Sequence, residues 1–286
     1  MSIFPSSSAI QPAVDETAGV SLRFNDDDSA YLSWTPSSIG NRKTWTWSGW
    51  VKRGNIETGK IIFSAGSSST DRTYLYINPS HYLQFRSVVG GTGYVVQTAA
   101  SYRDPSAWYH IVCQYDSTQA TSTERMAIWV NGERITDFDT TAYPPQNTDS
   151  YVSHTQIHRL CANTSADDSY FDGYLAEVNF IDGGALDATS FGETDANGQW
   201  IPKTYDGSYG TNGFYLPFTH DYSVEGFSAV TYSGTASNQY IGGVGFKPDL
   251  VWTKARNSTN SHIISDSLRG DGTYYLTTNS TSAENT

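Results

Sequence analysis

The chain is short of cysteine, of charge and of long apolar runs. Its 286 residues include only 2 cysteines, Cys113 and Cys161, and charged side chains make up 16%. Two cysteines cannot build the disulfide framework of a small secreted domain. Both lie in apolar, strand-like runs, so we expect two buried free thiols, with a single bridge as the alternative. No apolar segment is long enough to cross a bilayer, so membrane insertion is not expected.

Residue types that favour helices are also scarce. Serine, threonine, glycine and tyrosine stand where helical proteins use glutamate, lysine, leucine and alanine, and the chain has 20 Tyr, 8 Trp and 25 Gly. Aromatic side chains suit the half-buried surfaces of sheets, and glycine suits the turns between strands. Hydrophobic residues make up 37%, which is enough for a core. The composition therefore predicts an all-β protein.

Basic residues are too few to balance the acidic ones. The chain has 17 Lys and Arg against 29 Asp and Glu, a net charge of −12. Such a field repels a phosphate backbone, so we expect no nucleic-acid partner. The first residues, Met1 to Ser8, contain no basic region followed by an apolar core, so we expect no secretory signal.

The chain is predicted to have four parts. Residues 1–19 carry two prolines and a serine run without periodicity, which indicates an extended arm that is disordered or held against a neighbour. Residues 20–190 contain a series of short strands. Residues 191–221 are rich in glycine and aromatics, which predicts an ordered connector packed on the preceding domain. Residues 222–286 form a second β unit.

Turn signals separate the strands of residues 20–190. We predict strands at 20–24, 30–34, 44–53, 60–65, 73–77, 81–88, 93–98, 107–115, 125–136, 154–161 and 170–181. Asn131-Gly132 indicates a two-residue hairpin, because this dipeptide accepts positive φ at both central positions. Short strands at this spacing predict a two-sheet sandwich.

The unit 222–286 looks incomplete. We predict strands at 226–232, 247–254, 262–266 and 273–277, which are too few to close a sandwich. Either a partner supplies the missing edge or the natural chain continues beyond residue 286.

Five runs, in order, resemble laminin-G-like domains of the concanavalin A type. They are Leu22-Arg23-Phe24, Trp47-Ser48-Gly49-Trp50-Val51, Trp108-Tyr109-His110-Ile111-Val112, Trp129-Val130-Asn131-Gly132, and Phe171-Asp172-Gly173 with Glu177-Val178. This resemblance implies a jelly-roll sandwich that more often binds than catalyses.

Three further runs resemble virion proteins of tailed phages, particularly marine ones. They are Gly40-Asn41-Arg42-Lys43-Thr44-Trp45-Thr46-Trp47, Gly213-Phe214-Tyr215-Leu216 and Gly245-Phe246-Lys247-Pro248-Asp249-Leu250-Val251-Trp252. The likeness implies a fibre, spike or capsid-attached appendage, often oligomeric.

Catalytic patterns are missing. Concanavalin A-type glucanases carry two glutamates around an aspartate on one strand, because a retaining mechanism needs a nucleophile and an acid close together. The strand in the nearest position, from Gly173 to Phe180, offers only Glu177. No Gly-x-Ser-x-Gly elbow occurs, and the 6 histidines have no metal-ligand spacing. We therefore expect a protein that is not an enzyme.

Calcium is the one cofactor that the resemblance implies. Laminin-G-like domains often hold this ion with carboxylates and backbone carbonyls, since hard cations prefer oxygen ligands. The matching positions are Asp26, Asp28, Asp172 and Glu177. Ala176 stands where many relatives have an acidic residue, and a solvated acidic turn is the alternative.

Aromatic side chains are the candidates for sugar stacking, but most are expected in the core. Trp45 and Trp47 share one face of their strand, and Trp50 faces the other. The loop residues Tyr94, Tyr143 and Tyr151 are better ligand candidates, without a choice among them.

Three functions remain open from the sequence. The first is a non-enzymatic phage virion appendage that displays loops to host-surface glycans and is located on the virion surface or tail. The second is a secreted bacterial carbohydrate-binding or adhesion module. The third is an architectural capsid decoration or collar protein. The expected partners are other virion proteins and further copies of the chain, with a trimer favoured.

Overall fold

A computed structural model describes residues 21–166, 168–218, 229–235, 248–268 and 274–281. The chain divides into two compact units, Met1–Thr219 and His220–Thr286. The predicted arm, residues 1–19, lies outside the described residues. In the described part, no helix has the length and apolar character needed to cross a bilayer.

Two large antiparallel sheets build the first unit. The first sheet consists of β1 (Leu22–Phe24), β3 (Thr44–Arg53), β8 (Tyr109–Asp116), β9 (Met126–Val130), β10 (Glu133–Arg134), β13 (Gly173–Asp182) and β16 (Phe214–Leu216). Its order is β1-β13-β3-β8-β9-β10, with β16 also paired to β13.

The second sheet consists of β2 (Leu32–Trp34), β4 (Lys60–Ser68), β5 (Asp71–Ile77), β6 (Tyr82–Val89), β7 (Thr92–Ser101), β11 (Phe138–Ala142) and β12 (His158–Leu160). Its order is β11-β7-β6-β5-β4-β12-β2. Two short 3₁₀ helices, Ser122–Glu124 and Ala188–Ser190, and the hairpin of β14 (Gly192–Thr194) and β15 (Trp200–Pro202) complete the unit. The predicted all-β jelly-roll sandwich is confirmed.

Strand alternation places the core between the sheets. Trp45 and Trp47 point inward and are 1% and 0% exposed, and Trp45 stacks on Tyr115 with centroids 5.6 Å apart. The indole N–H of Trp45 donates to Ser150 Oγ at 2.9 Å, so its polar atom is satisfied inside the core. Trp50 faces the other way, as predicted, and packs on His110.

The predicted hairpin is confirmed. Asn131 and Gly132 have φ values of 51° and 87°, and Glu133 pairs with Val130 directly after them. Two consecutive positive φ angles match the right-handed twist of the flanking strands.

Some predicted strands have other limits. The strand expected at 154–161 is limited to His158–Leu160, and the strand expected at 170–181 begins at Gly173. Strand β11, Phe138–Ala142, was not predicted, because its sequence is mostly polar and it lies at the edge of the second sheet.

Cys113 and Cys161 are buried free thiols, which confirms that prediction. Burial raises the pKa of both thiols. Because the reactive form is the thiolate, neither side chain is set up for nucleophilic chemistry.

The second unit contains a three-stranded antiparallel sheet of β17 (Leu250–Thr253), β18 (Ile263–Asp266) and β19 (Leu276–Thr277). Of the strand predicted at 226–232, residues 229–232 are described and are not extended into a sheet, while 226–228 lie outside the described residues. The apolar side chains of Val230 and Tyr232 are exposed there.

Candidate functional site

Two of the four acidic residues predicted to bind calcium come together. Asp26 follows β1 and Asp172 precedes β13, and these two strands pair. Asp26 forms an ion pair with Lys60, and Asp172 Oδ2 accepts from Arg23 Nη2 at 2.7 Å. Burial alone would raise the pKa of Asp172, but the hydrogen bonds from Arg23 and the Asn55 N–H lower it below the usual range. The negative charges of Asp26 and Asp172 are therefore already paired with Lys60 and Arg23.

The other two predicted ligands lie elsewhere. Asp28 is exposed and accepts from Asn25 Nδ2 at 2.7 Å, while Glu177 is buried and accepts from the Tyr215 hydroxyl. The described residues contain no group of three or more side chains placed to hold a metal ion. An ion between Asp26 and Asp172 would compete with Lys60 and Arg23, and calcium binding stays a prediction.

The connector covers part of the outer face of the first sheet. Trp200 lies over His110 with ring centroids 6.0 Å apart, and its Nε1–H donates to His110 Nδ1 at 2.9 Å. The imidazole also packs against Trp50, with centroids 5.1 Å apart. His110 is therefore in contact with two indoles.

The hydrogen bond between Ser48 and His110 runs in the wrong direction for catalysis. Ser48 Oγ lies 2.9 Å from His110 Nε2. Because Nδ1 accepts from Trp200, the neutral imidazole carries its proton on Nε2 and donates to the serine. A general base must instead accept the serine proton. Burial lowers the pKa of His110 to about 3, so this side chain is a buried structural group.

Glu177 is enclosed by the same connector. It sits at an irregularity in β13 with φ of 50°, and it is 9% exposed. Its hydroxyl donor, Tyr215, belongs to β16, and the neighbouring Tyr209 hydroxyl donates to Asn179 Oδ1 at 3.0 Å. The glutamate in the position nearest to a glucanase's catalytic strand is thus held in a buried polar network.

An open groove of about 730 Å³ lies at one end of the sandwich. Its walls come from four segments that are distant in sequence: the loop before β3, the loop before β12, the end of β13 and the connector. The lining residues are Ile39, Gly40, Asn41, Arg42, Lys43, Asp149, Asp182, Gly210 and Thr211.

The carboxylate of Asp182 holds the groove together. Its Oδ1 accepts from the N–H of Asn41 at 2.7 Å and its Oδ2 from the N–H of Asn212 at 3.0 Å. A Cβ on Gly40 would lie 2.0 Å from Oδ2, and one on Gly210 would lie 1.9 Å from the Asp182 carbonyl oxygen. Both glycines are therefore needed for the close approach of the two loops.

Arg42 fixes the adjoining wall. Its Nε donates to the carbonyl of Ser150 at 2.7 Å, and its guanidinium lies 5.3 Å from the ring centroid of Tyr151. The hydroxyl of Tyr151 in turn donates to Asp71 at 2.6 Å. Of the predicted loop aromatics, Tyr151 supports this wall, whereas Tyr94 and Tyr143 pack partly buried against the core.

Sequence reasoning missed the groove. Asp182 and Gly210 carry no motif, and their role depends on contacts between residues that are about thirty to more than one hundred positions apart. The one available signal was Gly40-Asn41-Arg42-Lys43, which was noted for its resemblance to phage proteins and not for a binding role.

Comparisons with known proteins agree with the architecture. Residues 26–190 match the family described as the Concanavalin A-like lectin/glucanases superfamily, and residues 222–286 match one described as a domain of unknown function. Among curated proteins, no match reaches significance.

Several solved structures show low similarity to this chain. A heptameric SAP-like pentraxin from Limulus polyphemus is 17% identical, with 61% of this chain and 80% of that chain covered and a TM-score of 0.44. The IT-sialidase CBM40 of Ruminococcus gnavus is 14% identical, with 56% and 95% covered and a TM-score of 0.39. Domains LG4-5 of the mouse laminin α1 chain are 12% identical, with 71% and 49% covered and a TM-score of 0.43.

The family match spans residues 26–190, more than half of the 286 residues, and it coincides with the two-sheet sandwich. The chain belongs to the Concanavalin A-like lectin/glucanases superfamily.

Proposed function

We propose that this chain is a non-enzymatic glycan-binding module of a phage virion appendage (a tail fibre, spike or capsid-attached protein) and that the groove contacts glycans of the host surface. The observation that carries the proposal is the groove itself. Its volume of about 730 Å³ lies within the range of ligand sites, about 300–1,000 Å³.

The groove suits a ligand rich in hydroxyl groups. Its rim presents the side chains of Lys43, Asp149 and Thr211, which offer both donors and acceptors. The Asp182 contacts fix the backbone before a ligand arrives, so binding loses little conformational entropy. The exposed Ile39 adds an apolar surface at the edge.

The contacts of Glu177 and of the Ser48–His110 pair support binding without catalysis. Glu177 is buried under β16, and His110 donates to Ser48 rather than accepting from it. The family description covers both lectins and glucanases, and these contacts support the lectin side.

The virion role is supported by sequence likeness. The run Gly40 to Trp47, which resembles phage virion proteins, contributes four of the residues that line the groove. The proposed partners are host-surface glycans, other virion proteins and further copies of the chain.

Blocking the groove tests the proposal. Thr211 is exposed and takes no part in the Asp182 contacts, so Thr211→Trp fills the groove without disturbing its base. We expect at least a roughly tenfold loss of affinity for host-envelope polysaccharide in calorimetry, because the indole takes the space of the ligand.

Thr136→Trp is the matched control, since Thr136 is also exposed but lies between β10 and β11. Unchanged binding by Thr211→Trp, or a wild-type protein that binds no host-envelope glycan, would contradict the proposal.

A further inference from the structure

The outer face of the second sheet carries a group of basic and aromatic side chains. On β5 and β6 the residues Thr73, Leu75 and Phe85 point inward, so their neighbours along each strand point outward. The outward set is Arg72, Tyr74, Tyr76, Gln84, Arg86 and Val88. Tyr74, Val88 and Ile61 form a small apolar cluster separate from the main core.

Among the described residues, Arg86 has no ion-pair or hydrogen-bond partner. It lies between Tyr74 on β5 and Val95 on β7, and its guanidinium extends over Gly93. A Cβ on Gly93 would be 2.9 Å from Arg86 Nη2, so the bare glycine leaves the space for the cation. The ion pairs formed among the described residues do not include Arg86, and its Nε is buried without a hydrogen-bond acceptor.

Arg72 is held only by neutral groups. Its Nη1 donates to Asn163 Oδ1 at 3.1 Å and to Ser165 Oγ at 2.6 Å, and its guanidinium lies 4.7 Å from the ring centroid of Tyr74. Within the described residues no carboxylate pairs with it. The side chain is therefore fixed in position by Asn163, Ser165 and Tyr74, none of which carries a negative charge.

The sheet register brings the two cations to the same place. Arg72 is opposite Val88 from one side and Gly93 is opposite Val88 from the other. Strands are about 4.8 Å apart, so Arg72 and the Gly93 position over which Arg86 lies are separated by about 10 Å of backbone. Two half-buried guanidiniums thus flank the buried side chain of Val88, on a chain with a net charge of −12.

We propose that Arg72 and Arg86 form a second binding site, which takes the oxyanion of an acidic polysaccharide. Guanidinium binds carboxylate and sulfate through paired N–H···O bonds, which are stronger than hydrogen bonds between neutral groups. Val88 lies between the cations and is only 5% exposed, so the two guanidiniums supply the contacts to the ligand. This site rests on the proposed glycan-binding function and extends it from the groove to a separate face.

Calorimetry with three polymers tests the site. Polygalacturonate carries carboxylates, dextran sulfate carries sulfate esters, and dextran is neutral. We expect the two charged polymers to bind and the affinity to fall with added salt, while dextran does not bind this face. Tighter binding of polygalacturonate assigns a carboxylate to the site, and tighter binding of dextran sulfate assigns a sulfate ester.

Arg86→Gln is the decisive variant, because no residue in the described part of the chain forms a hydrogen bond with Arg86 that the substitution would break. We expect it to weaken binding of the preferred charged polymer about tenfold, the effect of losing a charge-assisted hydrogen bond. Arg103→Gln is the control for net charge, since Arg103 is exposed in the loop between β7 and β8. Equal losses in both variants would overturn the site.

Gly93→Ala tests whether binding depends on the position of the Arg86 guanidinium as well as on its charge. The added methyl displaces the Arg86 guanidinium and keeps its charge, so we expect a several-fold loss of affinity with the same salt dependence. Thr211→Trp should leave binding of the charged polymer unchanged, which distinguishes this site from the groove. Wild-type affinity in both Arg86→Gln and Gly93→Ala, or equal binding of a single-stranded DNA oligonucleotide, would overturn the proposal.

Discussion

At the scale of single residues, the buried histidines make the stability of the fold depend on pH. His110 packs against Trp50 and Trp200, and His158 accepts from the Ser153 N–H at 3.0 Å. Burial lowers the pKa of His110 to about 3 and that of His158 to about 4. Both remain neutral in the folded protein across the mildly acidic range.

Acid should therefore destabilise the fold. Below about pH 6.5 the unfolded chain binds protons that the folded chain cannot, so the free energy of unfolding falls as the pH falls towards 4. We expect each histidine to contribute about 2 kcal/mol to the loss between pH 7.5 and pH 5, measured by urea denaturation. His110→Gln should reduce this pH dependence, because it removes one of the two most strongly shifted imidazoles. A stability independent of pH in this window would show that the histidines titrate normally.

At the scale of elements, the connector acts as a cover for the first sheet. A second apolar cluster forms where it packs, with Val112, Trp129 and Ile181 from the sheet and Phe191 from the connector itself. Trp200 lies against Gly132, where a Cβ would be 2.7 Å from its ring. The hairpin glycine thus serves both the turn and this contact.

Removing the Trp200 indole should expose part of the first sheet that the connector covers. We expect Trp200→Ala to lower the free energy of unfolding by about 2–4 kcal/mol, the usual cost of truncating a large packed side chain. Water would then reach His110, and its pKa, followed by NMR titration, should rise towards its ordinary value. Trp252→Ala, which removes an indole that is 63% exposed, is the control. An unchanged His110 titration in Trp200→Ala would mean that Trp50 alone shields the ring.

The sequence predicts some elements of this fold and not others. Period-two alternation identified the inward faces of Trp45 and Trp47, and Asn131-Gly132 identified its turn, because both signals act over a few neighbouring residues. The polar strand β11 and the base of the groove at Asp182 have no such local pattern. Their positions depend on pairing between distant segments, which a single sequence does not encode in its spacing.

At the scale of the whole molecule, the second unit presents an apolar edge. Leu250 and Trp252 lie on the same side of β17 and are 61% and 63% exposed. Within the described residues β17 pairs with β18 alone, so its other edge has no described partner strand. Open, apolar edges are sites of strand addition between chains.

Further copies of the chain are the occupant that we propose for this edge. We expect light scattering to show a homo-oligomer, with a trimer favoured, at micromolar concentration. Leu250→Lys combined with Trp252→Lys should dissociate it, because charges at an edge oppose pairing. Leu268→Lys is the control, since Leu268 is 97% exposed in a turn outside β17. A monomeric wild-type protein would contradict the prediction.

The Asp182 contacts separate the base of the groove from its rim. The carboxylate binds backbone N–H groups, so the side chains of Ile39, Lys43 and Thr211 are not needed to keep the loops in place. Substitutions on the rim can then change which ligand is preferred at little cost in folding stability. Such a scaffold allows recognition to diverge quickly between related chains while the sandwich beneath it remains the same.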